Sequence, residues 1–180
     1  MEQLPTPSPQ AWSQDDLRQY LSQPLIGDKG RPVPGTEHMT IEQVEDDILK
    51  GGRFRVFLWT FSIVIMSFQR SSGLRYYRSG QGCGGAAWGY TLLSSVVGWW
   101  GIPWGIFFTI HAIYRNCLGG KDVTADVLGN VLGPARAQSI LARAQKPGAD
   151  IALWLLRILA MGAVLNIVVV IVMAVYTAKK

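Results

Sequence analysis

Residues 90–114, YTLLSSVVGWWGIPWGIFFTIHAIY, decide how the rest of the chain is read. The stretch holds 25 residues and no charge. At helical rise it covers about 37 Å, against about 30 Å for the apolar core of a bilayer. Its centre, GWWGIPWG at 98–105, carries three of the seven tryptophans, three glycines and Pro103. In a water-exposed helix each interior Gly costs about 1 kcal/mol and a Pro about 3. In lipid, neighbouring helices can satisfy the backbone groups so freed. The stretch therefore predicts a bent or broken membrane span. Gly98, Gly101 and Gly105 fall on one helical face, and Gly101-x-x-x-Gly105 fits close helix packing. Trp99, Trp100 and Trp104 surround that face and make it a packing surface for another protein. A flat lipid, pigment or quinone is the rival occupant.

Working outward, residues 151–177 predict a second span, with 20 uncharged residues at 158–177. Asn166 sits in mid-span and predicts a hydrogen bond to a neighbouring helix. Arg157 predicts a snorkelling contact with lipid headgroups, and Arg115 and Arg143 are placed there too. Residues 54–78 leave two readings open. One is a short third span; the other is an interfacial β-hairpin, favoured by the β-branched run and the Ser71-Ser72-Gly73 turn signal. Thr40-x-x-Gln43 is a capping box that opens an amphipathic surface helix over 40–50. A further amphipathic, membrane-surface pair is predicted over 124–145. The fold class so read is an all-α membrane protein.

Charge divides the chain the same way. Residues 1–50 carry four Lys and Arg against nine carboxylates, a balance of −5; residues 51–180 carry 13 against three, +10. The predicted organisation is an acidic Pro-rich arm at 1–39, mostly extended, and a surface helix at 40–52. A membrane domain at 53–128, an interfacial helix at 129–150 and a C-terminal span at 151–180 follow. The basic body flanks apolar runs rather than lining one helix face, which points to lipid and not to nucleic acid. The start of the chain has no basic and apolar leader pattern, and Lys and Arg counts favour a cytoplasmic N-terminus. The expected location is a bacterial inner membrane, multi-pass.

Chemistry is sparse. Cys83 and Cys117 flank the 90–114 stretch, on opposite sides if it crosses a bilayer, and could not then bridge. The only histidines are His38 and His111. His111, beside Tyr114 and Arg115, reads as a hydrogen-bonded side chain and not as a ligand. No nucleophile–base set, metal spacing or paired carboxylate stands out in the body, so no cofactor or catalytic residue is expected.

The blocks GRFRVFLWTFS, SFQRSSG, YTLLSSVVGWWGIPWG and GGKDVT together resemble an uncharacterised family of small bacterial membrane proteins, over about residues 40–128. The family pattern continues GWWGIPWG with a proline where this chain has Ile106. The resemblance implies a membrane protein and brings no activity with it. The function expected is a non-catalytic accessory subunit of a larger bacterial membrane complex, respiratory or photosynthetic. The alternative is a self-associating scaffold or pore.

Overall fold

In the computed structural model, residues 13–27, 30–63, 66–98 and 104–178 are described, with the side chains at 167, 168 and 171 left aside. The chain forms two units. The first comprises residues 1–56, 71–81 and 121–149; the second comprises 57–70, 82–120 and 150–180.

The first unit holds helices α1 (Gln14–Leu21), α2 (Ile41–Leu49), α5 (Thr124–Leu132) and α6 (Pro134–Arg143). Its sheet consists of β1 (Arg53–Val56), β4 (Arg75–Tyr77) and β5 (Lys121–Asp122), in the order β4-β1-β5. β1 is antiparallel to both neighbours, with Phe54 opposite Tyr76 and Arg55 opposite Asp122. The core gathers Leu21, Leu25, Val33, Val44, Ile48, Phe54, Tyr76, Leu128 and Ile140. Three of these come from the segment expected to be an extended arm. The region after α1 is held by bridges Pro24–Thr40 and Ile26–Pro32. Gly35 (φ +98°) lets the loop lie on the Tyr76 backbone, where a Cβ would collide with the Tyr76 carbonyl. Thr40 caps α2 as a full capping box with Gln43.

The second unit holds β2 (Leu58–Ile63), β3 (Met66–Ser71), α3 (Gly84–Val97), α4 (Trp104–Cys117) and α7 (Ile151–Ala178). β2 pairs with β3; two intervening residues allow only an antiparallel pairing. α3 packs on α4, β2 lies against both, and α7 leans on α3.

Several expectations are corrected by this arrangement. The fold is mixed α/β, not all-α, because residues 53–77 form four strands instead of a span. β2 ends at Ile63 and β3 runs Met66–Ser71, so the turn signal at 71–73 does not join the hairpin's strands. Residues 90–114 do not make one span. α3 and α4 contribute 14 residues each, about 21 Å apiece and short of a bilayer's core. The described side chains of α7 run unbroken over 151–166 and include Arg157 and Asn166. Among the described residues, no helix is long and apolar enough to cross a membrane. The multi-pass, inner-membrane placement with a cytoplasmic N-terminus falls with that finding. Residues 41–49 form the expected surface helix with one buried face, made of Ile41, Val44 and Ile48, whereas the apolar faces expected to rest on a membrane over 124–145 bury Leu128, Ala137 and Ile140 in the first unit's own core.

Candidate interaction surface

The second unit is organised by polar side chains that seal a strand. β2 uses one edge for β3, and Leu58 and Thr60 turn their amides the other way. The Asn116 carboxamide, fully buried on α4, takes both groups of Leu58: its oxygen accepts the amide (3.2 Å) and its nitrogen donates to the carbonyl (2.9 Å). The Thr60 amide donates to Ser94 Oγ of α3 (3.2 Å), and the Thr60 hydroxyl donates to the Phe108 carbonyl (3.1 Å). Ser62 Oγ donates to the Gly98 carbonyl (2.7 Å) and lies 2.9 Å from Ser67 Oγ. Gln69 Nε2 sits 3.0 Å from His111 Nδ1. An edge that would otherwise recruit another strand is thereby covered. Nothing in the spacing of Asn116 announces this role; a buried Asn on a helix reads the same whether it faces a helix or a strand.

The glycines of the 98–105 block serve this packing. A Cβ on Gly105 would lie 2.6 Å from the Gly98 carbonyl and 2.8 Å from Ser62 Oγ, and one on Gly98 would meet Thr109 Oγ1. Both glycines face their own unit. Trp104 is 60% exposed, with its ring 6.3 Å from Phe107. Trp99, Trp100, Gly101 and Pro103 lie outside the described residues. Since α3 and α4 fold back on each other, Cys83 and Cys117 share one end of the unit and do not lie on opposite sides of a bilayer. Cys83 Sγ is 3.8 Å from the Gly119 carbonyl. Burial pushes the Cys117 thiol up, opposed by the Arg157 charge. Arg157 Nε donates to the Cys117 carbonyl (2.8 Å). Arg143 Nε donates to Ser139 of its own helix (3.1 Å), and Arg115 is half-buried on α4.

Asp150 joins two helix starts. Its carboxylate accepts the Gly84 amide of α3 (2.6 Å) and the Leu153 amide of α7 (3.2 Å). Negative charge is favoured at both positions by the helix dipoles. Gly84 has to be glycine for the approach: a Cβ there would lie 2.6 Å from the Leu153 nitrogen. Asp before an apolar run is a legible cap for α7; its bond to Gly84 is not.

Outward, this unit is apolar on many sides. α4 exposes Trp104, Phe107, Ile110 and Tyr114, and the hairpin exposes Ile63 and Met66. α7 goes furthest. Among its described side chains only Leu153 and Leu156 are buried, while Leu155, Leu159, Val164, Leu165, Val169, Val172, Met173 and Tyr176 are each half exposed or more. Asn166 is exposed among them.

The first unit offers polar groups of another kind. Asp47 accepts from Tyr76 Oη (2.6 Å), from the Ser79 amide (2.9 Å) and from the Ser79 hydroxyl (2.5 Å). Burial pushes Asp47 up, and these donors outweigh it, leaving its carboxyl below the usual value. Burial, and then the bond to Asp47, push the Tyr76 phenol far up. An open cleft beside them is lined by Glu37, Arg78, Ser79 and Gln81. Glu37 accepts the Gly35 amide (2.9 Å) and Gln81 the Arg78 amide (3.3 Å). These bonds tie loops and leave no converging set for chemistry. Among the described residues, no three His, Cys, Asp or Glu come together as metal ligands.

Comparison with protein families, curated proteins and solved structures finds no match to this chain.

Proposed function

We propose that the chain is a non-catalytic accessory subunit that docks on a larger assembly through α7. The observation that carries this is the exposure of apolar side chains around most of a 28-residue helix. A helix apolar on every side belongs in a buried setting, and here only α3 and α4 touch it to any extent within the second unit. The outward residues of α4, Trp104, Phe107, Ile110 and Tyr114, add exposed apolar surface to the same unit. Exposed apolar patches of this extent mark binding surfaces in proteins at large. Two of the three carboxylates after Asp47 support the non-catalytic reading, since Asp122 and Asp150 both spend oxygens on backbone amides.

Self-association is the second reading, favoured by Asn166 and by Gly162, whose surroundings are open. Gentle purification of the native protein, followed by native mass measurement and mass spectrometry of what comes with it, separates the two. Foreign subunits in fixed ratio are expected. One repeating subunit would favour self-association, and a lone chain carrying only lipid would overturn both.

A further inference from the structure

We propose that α7 pairs in parallel with α7 of a second copy of this chain, in a register set by Asn166. Between Ile158 and Val175, Asn166 is the one polar side chain in the sequence. It is exposed, and its amide is self-complementary, one donor group and one acceptor. Around it runs a stripe at heptad spacing: Leu155, Leu159, Gly162, Asn166, Val169, Met173 and Tyr176. All are exposed. The stripe is turned about 100° or more from the Leu153–Leu156 side that α7 uses against its own unit. Gly162, one turn before Asn166, has nothing within 4 Å of a would-be Cβ and admits a close neighbour.

A second copy answers the need of Asn166 better than a different partner does. A two-fold axis brings the same residue opposite itself, so each amide both gives and receives a hydrogen bond. A single Asn in an apolar heptad seam is a known device for fixing register in parallel pairs. Parallel pairing also keeps the N-terminal parts of α7, which lean on α3, at the same end. The inference rests on the preceding reading in one respect, that protein covers α7. It leaves the rest of the helix surface to other subunits.

The test uses the full chain, gently extracted, with single cysteines introduced on α7. Cys83 and Cys117 are buried, so the unmodified chain sets the background. Oxidation of Val169→Cys with a copper–phenanthroline catalyst and air is expected to give a disulfide-linked dimer, two thiols losing two electrons and two protons to oxygen. Val164→Cys, on the opposite side of the helix, is expected to stay near background. Adding Asn166→Leu is expected to lower the ratio of the two yields about three- to twentyfold, the range an interhelical amide pair supports. Besides the absence of any cross-link, three results would overturn the pairing: equal yields at both positions, a ratio that ignores Asn166→Leu, or a link formed by Val169→Cys only when mixed with Ala163→Cys, which signals antiparallel helices. Foreign subunits with no cross-link would sink the pairing and leave the accessory role standing; a cross-linked dimer alone would do the reverse.

Discussion

Asn116 carries more than its size suggests. Replacing it with Leu leaves the Leu58 amide and carbonyl buried without partners, at about 1–3 kcal/mol for each group. Asn116→Leu is therefore expected to destabilise the second unit by about 2–6 kcal/mol, and exchange of the Leu58 amide hydrogen should speed up accordingly. Asp47 plays the matching part in the first unit, and its effect depends on pH. Its folded carboxyl is held below the ordinary value. The stability it contributes is thus complete above the unfolded pKa, about 3.9, and is lost as pH falls through the folded one. Asp47→Asn is expected to lower the denaturant midpoint clearly at pH 7, with the gap to wild type shrinking below about pH 4. A gap unchanged down to pH 2 would mean that Asp47 is not held as a carboxylate.

Among the elements, the contrast between Gly84 and Gly85 tests how α3 starts. Gly84 has the Leu153 nitrogen and the Ala152 Cβ within 2.7 Å of its would-be Cβ; Gly85 has nothing within 4 Å. Gly84→Ala is expected to cost about 1–3 kcal/mol through overpacking. Gly85→Ala is expected to be neutral or to stabilise by up to about 1 kcal/mol through helix propensity. Urea unfolding of the two variants distinguishes them. The GGKDVT block also takes its meaning at this scale. Gly119 and Gly120 adopt positive φ, Lys121–Asp122 pairs with β1, and Asp122 accepts both the amide and the hydroxyl of Thr124. Thr124 in turn accepts the Phe54 amide (3.0 Å). The N-cap of α5 is Val123, and not Asp122 or Thr124 as the residue types suggest; the strand before it was not legible either, because two residues carry no periodicity. Residues 54–78 were ambiguous for a related reason. A short apolar run fits a buried helix and a strand equally, and pairing with a distant segment settled it.

For the whole molecule, the expected behaviour follows from where apolar surface is left over. The side chains of Val164 and Val172 are each about 60% exposed. Val164→Glu with Val172→Glu is expected to leave the first unit's exchange protection unchanged, since α7 supplies nothing to that core. The same change should release the chain from co-purifying subunits; retention of those subunits would place the contact elsewhere. The Thr40 capping box and a long C-terminal helix were legible in the sequence, since both follow from near-neighbour hydrogen bonding and composition, whereas the turn signal at 71–73 did not mark the join between β2 and β3. Only the tertiary structure decided that residues 90–114 fold back as two helices, that the acidic segment joins a core, and that Asn116 and Asp150 close distant backbone groups. Those outcomes depend on which surfaces meet across tens of residues, and side-chain spacing along one chain does not encode that meeting.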